Sequence, residues 1–514
     1  MEAGAILPID YWQSIFSHLD HDGLEAVSLV CKDFLIISNI YKHSLQVIHP
    51  GVDMLSKQLN RFKQLKNINL KPFTGDLDEV ILEIARSDIS LQVLDICHQD
   101  GLKAESLKEL GSNSKMKILK VFNCLMRNSN LQDNDLVVIA NSFPNLEELD
   151  LRIFNFLPNN CLANDSCSPW FPTDFGVEIL RNNGVTEKGI AFLLRNKPNL
   201  EALSIGNIKM DSSQSTITIE NSISHAKALT SLEFSRMDVS DILLIAVAKA
   251  ELRLTKFVLH FCKKFTVTGL LMVLSNYQLT KLGLVEGDIA DVDIELVLSR
   301  DVSKLTHIEI KRCQVTSSTL FLLSTRCPSL VEIRMKQIAL VGQINDGGIN
   351  FPLFKNHSVQ NLSETMQNYT GIEAILKSCK LIRKLILREY LKKKIIEADN
   401  SELPEVNLED LSLSWTGIDD KGLAALAKRC PRLVSLEASH CDYVTTEGIK
   451  QIVNNITTLK YLYMRGCDGV KSGDLLEWML ATGNLASLKK IYLGQNTFTE
   501  EQMDQFSHRG CLLR

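Results

Sequence analysis

The stretch from Leu408 to Pro431, LEDLSLSWTGIDDKGLAALAKRCP, holds one complete structural unit. Leu408, Leu411 and Leu413 follow the Leu-x-x-Leu-x-Leu spacing of a short strand with one buried face. A turn comes next, and Leu423 and Leu426 then fall at helical spacing on an amphipathic segment. A strand and helix of this size cannot bury their apolar faces alone, so the unit must stack on others like it.

Such units recur almost to the C-terminus, with starts at Leu65, Leu91, Leu119, Leu146, Leu200, Leu229, Leu254, Leu279, Leu305, Leu330, Ile382, Leu408, Leu433, Leu459 and Leu488. Most spacings lie between 25 and 29 residues, and two are 54 and 52. This is a leucine-rich-repeat period. It predicts an α/β solenoid of about 15 repeats over residues 65–510, a horseshoe with an inner parallel β-sheet and outer helices. The two wide gaps hold either long insertions, near residues 154–184 and 341–368, or degenerate repeats. A solenoid grows by adding units, so 514 residues fit one continuous core.

The cysteines keep the same register. Cys262, Cys313, Cys441 and Cys467 each stand eight residues after a start, and Cys327, Cys379 and Cys430 three before one. A small, weakly polar thiol suits a tight buried corner, which makes these reduced core residues. Thirteen cysteines and an opening Met1-Glu2-Ala3 with no secretory segment point to a reducing compartment, cytoplasmic and/or nuclear. No apolar run approaches the roughly 18 residues of a membrane span, so no membrane is expected as a partner. The tail Cys511-Leu512-Leu513-Arg514 has the outline of a prenylation box but ends on an unusual residue. A formal charge of -5 argues against nucleic acid as a partner held by a globally basic surface.

Residues 1–45 break the repeat. In ILPIDYWQSIFSHLDHDGLEAVSLVCKDFLIIS, Trp12, Ile15, Phe16 and Leu19 lie at helical spacing behind Pro8, and Asp22 can cap a second helix carrying Leu24, Val27 and Val30. Three short helices are the natural reading. Leu7-Pro8, Ile15-Phe16, Leu19, Asp22, Leu24 and Ser28-Leu29-Val30-Cys31-Lys32 resemble the F-box in order and spacing, with Phe34 where many members carry tryptophan. An F-box followed by leucine-rich repeats resembles the substrate receptors of SCF-type ubiquitin ligases. The resemblance implies a Skp-type adaptor bound through motif positions Leu7, Pro8, Ile15, Phe16, Leu24 and Val30, a cullin-RING scaffold beyond it, and an unknown target protein on the repeats. It implies a non-catalytic subunit. Residues 46–64 are a linker or an irregular first repeat, since Met54, Leu55 and Leu59 distinguish them from a Gly/Ser tether.

Two sets of residues are candidates for holding a target. Lys311, Lys336 and Arg388 each stand six after a start in consecutive assigned repeats, with Arg334, Arg383 and Lys384 on the same strands. A ladder of cations would favour an acidic or phosphorylated segment, or an inositol polyphosphate as the one conceivable cofactor. Solvated surface charge is the plainer alternative, and a worn repeat between Lys336 and Arg388 would break the ladder. The first wide gap offers Trp170 and Phe171. Long loops between repeats also resemble, in architecture alone, the plant receptors for auxin and jasmonate.

No phosphate-binding glycine loop, zinc-protease helix or nucleophile elbow occurs, so no enzyme is expected. Cys161 and Cys167 lack a second ligand pair nearby, which leaves no metal site. Two further readings stay open: a leucine-rich-repeat interaction or inhibitor protein whose N-terminal helices only cap the solenoid, and a ligand-dependent receptor of the same architecture.

Overall fold

A computed structural model describes residues 9–19, 21–48, 52–71, 73–97, 103–112, 115–120, 132–151, 185–208, 218–285, 289–311, 313, 317–336, 370–388, 391–394, 405–483, 487–493 and 498–513. The chain divides into two units, residues 1–254 with 262–265 and residues 255–261 with 266–514. Both have one construction: parallel strands side by side, a helix after most of them, and a leucine core between. The fold is an α/β leucine-rich-repeat solenoid.

The first unit begins with helices Ile9–Phe16, His21–Ser28 and Lys32–Tyr41. Its sheet runs through β1 (Ser44–Gln46), β2 (Asn67–Asn69), β3 (Val93–Asp95), β4 (Ile118–Lys120), β5 (Glu148–Leu151), β6 (Ala202–Gly206) and β7 (Ser231–Ser235). A single apolar row crosses it, Leu45, Ile68, Leu94, Leu119, Leu149, Leu203 and Leu232, each paired with the next. Because side chains alternate along a strand, this row faces the helices and its neighbours lie on the open face.

The second unit continues with β8 (Lys256–His260), β9 (Lys281–Val285), β10 (His307–Lys311), β11 (Glu332–Lys336), β12 (Lys384–Arg388), β13 (Leu391–Lys394), β14 (Asp410–Ser412), β15 (Thr416–Gly417), β16 (Ser435–Glu437), β17 (Tyr461–Tyr463), β18 (Lys490–Tyr492) and β19 (Leu512–Leu513). β13 and β15 form a separate two-stranded pair. The apolar row here runs from Phe257 through Leu282, Ile308, Ile333, Leu385, Leu411, Leu436, Leu462 and Ile491 to Leu513.

This register corrects one start and adds two rungs. Leu119 pairs with Leu94 and Leu149, which each stand three residues inside their repeats, so the fourth start on the sheet is Met116, itself fully buried. Methionine fills a leucine slot without keeping the leucine pattern. β1 extends the first unit's sheet before Leu65 and β19 the second unit's after Leu488, where Lys42 and Gly510 hold the position of a start. In the first unit β5 pairs directly with β6, and in the second β11 pairs directly with β12, across the two wide gaps. The stretches 154–184 and 341–368, expected as long insertions or degenerate repeats, lie outside the described residues.

Stacking is reinforced by a carboxylate at the start of one helix that bonds to the cap of the next. Asp133 accepts from Thr186 N at 2.7 Å and Oγ1 at 2.6 Å, and Asp420 accepts from Thr445 N at 2.8 Å and Oγ1 at 2.5 Å. Close approach at these joints requires glycine. A Cβ on Gly448 would lie 2.1 Å from Asp420 Oδ1.

The cysteine slots hold buried thiols. Cys262, Cys441 and Cys467 donate their Sγ–H to the carbonyls of Phe234, Leu413 and Ala438 in the preceding repeat, at 3.3, 3.1 and 3.0 Å. Burial, with the neighbouring Cys379 second, pushes the Cys327 thiol up to about 12, and burial alone pushes Cys379 up to about 11. Cys511 is buried beside β19, as is Leu513 within it.

Candidate protein-interaction surfaces

The three N-terminal helices are held by aromatic packing. Phe16 is fully buried, its ring edge-on to Phe34 at 5.1 Å, and Trp12 lies 4.6 Å from Phe34. Such pairs contribute roughly 0.5–1.5 kcal/mol beyond area burial. Cys31 caps the third helix, accepting from Phe34 N at 3.4 Å. The apolar residues of these helices thus fall into two groups. Phe16, Ile37 and the Phe34 ring build the core, whereas Tyr11, Ile15, Leu29, Val30, Ile36 and Ile40 are exposed, Leu29 by 84%. Of the six motif positions, Ile15 and Val30 are exposed, Leu24 is half-buried, Phe16 is core, and Leu7 and Pro8 lie outside the described residues. Tyr11, Leu29, Ile36 and Ile40 escaped the sequence reading. For Tyr11, Ile36 and Ile40 the signal was an apolar residue falling off the core stripe of its own short helix, whereas Leu29 lies in the turn after helix His21–Ser28.

This group is fastened to the repeats. Only Lys42 and His43 separate the third helix from β1. Arg61, on the first repeat's helix Val52–Arg61, donates Nε–H to Asn39 Oδ1 at 3.1 Å, and Lys42 and Arg61 both lie over the Phe62 ring, at 5.0 and 5.2 Å. Residues 52–61 are therefore helix and β1 a rung of the sheet, not a flexible tether.

The second surface is the open face of β8–β12. Register places Lys311, Lys336 and Arg388 side by side at the strand ends, and Arg334 beside Glu309. With Lys256, Lys281 and Lys384, these five strands carry seven Lys and Arg against two carboxylates, Glu309 and Glu332. In the first unit the strands carry Lys120 against Asp95, Glu148, Asp150 and Glu233.

The cations are woven into ion pairs. Lys311 pairs with Glu309, Arg334 with Glu332, Lys384 with Asp410, and Arg383, just outside β12, with Glu409. Arg388 reaches across β14 to Glu437 and donates to Ser412 Oγ at 3.1 Å, while Ser412 donates to Glu437 at 3.0 Å. Burial opposes ionisation of Glu309, but Lys311 and then Arg334 hold its carboxyl below the ordinary value. Burial, then Lys281, lowers His307 although Glu332 lies 3.8 Å away. Trp170 and Phe171 lie outside the described residues.

Beyond β14 the face becomes aromatic. Trp415 stacks on His440 with centroids 4.0 Å apart and planes 16° from parallel. Both sit in left-handed backbone, at φ 60 and 55, as do Asn207, Arg236 and Phe261 at the same repeat position. The equivalent residue of the following repeat is Gly466, φ 66, where a Cβ would lie 2.4 Å from His440 Nδ1. The glycine leaves room for the imidazole. Trp415 and Tyr443 are both more than half exposed. On the next strands Tyr463 lies 6.5 Å from Tyr492 and beneath Lys490, and burial, then Glu437, raises its phenol.

Among the described residues no group of acidic, histidine and cysteine side chains is arranged to hold a metal ion, and no helix is long and apolar enough to cross a membrane. The Leucine Rich repeat family model matches residues 406–427, the unit that opened the sequence reading. Among solved structures, the chain is similar to the Rad7 and Elc1 complex in yeast, at 14% identity over 98% of this chain and 94% of that one, with a TM-score of 0.43. It is similar to the mouse RP105/MD-1 complex at 12% identity, over 92% and 69% of the two chains, TM-score 0.39. An internalin (inlF) from Listeria monocytogenes matches at 12% identity, over 93% and 91%, TM-score 0.29. Repeat solenoids typically serve as interaction scaffolds that offer extended binding surfaces.

Proposed function

We propose that the chain is the substrate-recognition subunit of an SCF-type ubiquitin ligase. Residues 1–45 act as an F-box that binds a Skp-type adaptor and, through it, a cullin-RING scaffold. The repeats hold a target protein for ubiquitination and proteasomal degradation. The reading is carried by one observation: among the described residues, six large apolar side chains stay exposed on the three short helices and on the turn that holds Leu29 and Val30, in a segment whose sequence resembles the F-box. A cap that merely closed the solenoid would present a polar outer face. Exposed apolar side chains, including Leu29 and Val30 in the turn after helix His21–Ser28, instead suit a partner.

The chain performs no bond-making step in this account; it sets distances. A target bound to the repeats is brought to a conjugating enzyme at high effective concentration, which converts an encounter into a local reaction. That gain depends on a stiff joint, and the Asn39–Arg61 bond and the cations over Phe62 supply stiffness. Co-expression of the full chain with a Skp-type adaptor and cullin tests the proposal. Wild type recovers both, and Leu29→Asp with Val30→Asp recovers neither while keeping its circular dichroism. Equal recovery by both proteins, or none by wild type, overturns it.

A further inference from the structure

We propose that the target is held through an acidic, extended segment that crosses the ends of β10–β12 and seats a large apolar side chain on the Trp415–His440 stack. This deepens the reading of the repeats as a target-holding surface and rests on it. Three observations carry the inference. The open face of β8–β12 has seven Lys and Arg against two Glu, in a chain whose formal charge is -5. Asp410 and Glu437 on the next two strands pair with Lys384 and Arg388, so these seven cations meet four carboxylates in all, and the face keeps an excess of three positive charges whose field falls off only over about 8–10 Å. Second, Lys311, Lys336 and Arg388 are register partners in one row.

The third observation is what the row leads to. β14 is the neighbour of β12, and β16 of β14, so Trp415 and His440 stand at the next two steps beyond Arg388. Trp415 is 52% exposed although its ring is pinned by the imidazole and its backbone is left-handed. A rigid, half-exposed aromatic beside cations is the composition of an interface anchor. Strands lie about 4.8 Å apart, so the cation row spans about 10 Å and Trp415 stands about 10 Å past its middle, which an extended chain covers in about three to four residues. The segment that fits carries paired carboxylates and, about four residues on, a Phe, Leu or Trp. Single-stranded nucleic acid fits less well. Glu309, Glu332, Asp410 and Glu437 occur on four of the strands it would cross and would repel a continuous phosphate backbone.

The test is fluorescence anisotropy of the full chain with a short labelled peptide carrying paired glutamates and, about four residues on, a phenylalanine. Wild type binds it, the glutamine counterpart binds at least about tenfold more weakly, and Lys311→Gln with Lys336→Gln or Trp415→Ala each lose about tenfold. Trp415→Phe, which keeps an apolar ring, retains most of the affinity. Binding that is indifferent to the glutamates or to these variants overturns the inference. So does an oligouridylate of equal charge that binds more tightly with the same lysine dependence. Adaptor capture on the same preparations separates the two proposals. Its loss with peptide binding kept overturns the ligase reading alone, and the converse overturns the acidic segment alone.

Discussion

Gly448→Ala distinguishes a stacking joint from an ordinary helix position. Replacing a helical glycine by alanine normally stabilises by roughly 0.5–1 kcal/mol, because the unfolded chain loses freedom. Here the added Cβ would stand 2.1 Å from Asp420 Oδ1, the atom that accepts from Thr445 N at 2.8 Å. Either the carboxylate leaves, weakening the bonds to both Thr445 donors, or the two helices part. Hydrogen bonds to a charged acceptor contribute roughly 1.5–3 kcal/mol each, and overpacking costs roughly 1–3 kcal/mol. Set against the gain, the net expectation is a loss of about 1–3 kcal/mol. Gly473 is the control, since nothing lies within 4 Å of the Cβ it would gain. A long repeat array need not unfold in one step, so the readout is amide hydrogen exchange of helix Thr446–Asn455 in the native protein, beside urea unfolding of both variants. Faster exchange there in Gly448→Ala, with none in Gly473→Ala, is expected. Exchange unchanged or slowed in Gly448→Ala refutes the joint.

Other consequences follow from charge and burial. Because Glu309 is held below its ordinary value in the fold, its contribution is complete above the unfolded carboxylate value and is lost as pH falls through the lowered folded value. Glu309→Gln should therefore be less stable than wild type at neutral pH and converge on it in acid, as followed by urea midpoints across pH; a gap that widens in acid contradicts the assignment. Iodoacetamide should modify exposed Cys31 in the native protein and reach Cys327, Cys379 and Cys430 only after unfolding, because burial pushes those thiols up to about 12, 11 and 12. Native-state peptide mapping that finds Cys327 alkylated as fast as Cys31 would show that the repeat corners open.

The period of the leucines made the solenoid legible because each strand needs the same buried residue at the same offset. Where that demand is met by another side chain the pattern slips, as at Met116. It vanishes where the outermost rungs have Lys42 and Gly510 at the start position. The cysteine corners were legible for the same reason. The left-handed position before them was not, since Asn207, Arg236, Phe261, Trp415, His440 and Gly466 have no chemistry in common. There the repeat's backbone overrides the residue, at a cost of roughly 1–2 kcal/mol for each side chain other than glycine or asparagine.

The interaction surfaces were half legible. Cation positions on the strands followed from spacing alone, but their partners did not. Arg388 and Glu437 stand 49 residues apart and meet only because β12, β14 and β16 are successive rungs. Similarly, the motif at the N-terminus named Ile15, Phe16 and Val30 together, and only packing separates the buried Phe16 from the exposed pair.

Calorimetry of the purified full chain with a Skp-type adaptor shows whether the exposed N-terminal side chains bind an adaptor. Wild type should bind with measurable affinity, Ile15→Ala with Leu29→Ala should lose about tenfold or more, and Ile242→Ala, which removes an exposed side chain from a repeat helix, should change nothing. No heat with wild type, or the same affinity in all three proteins, would contradict adaptor binding through these side chains.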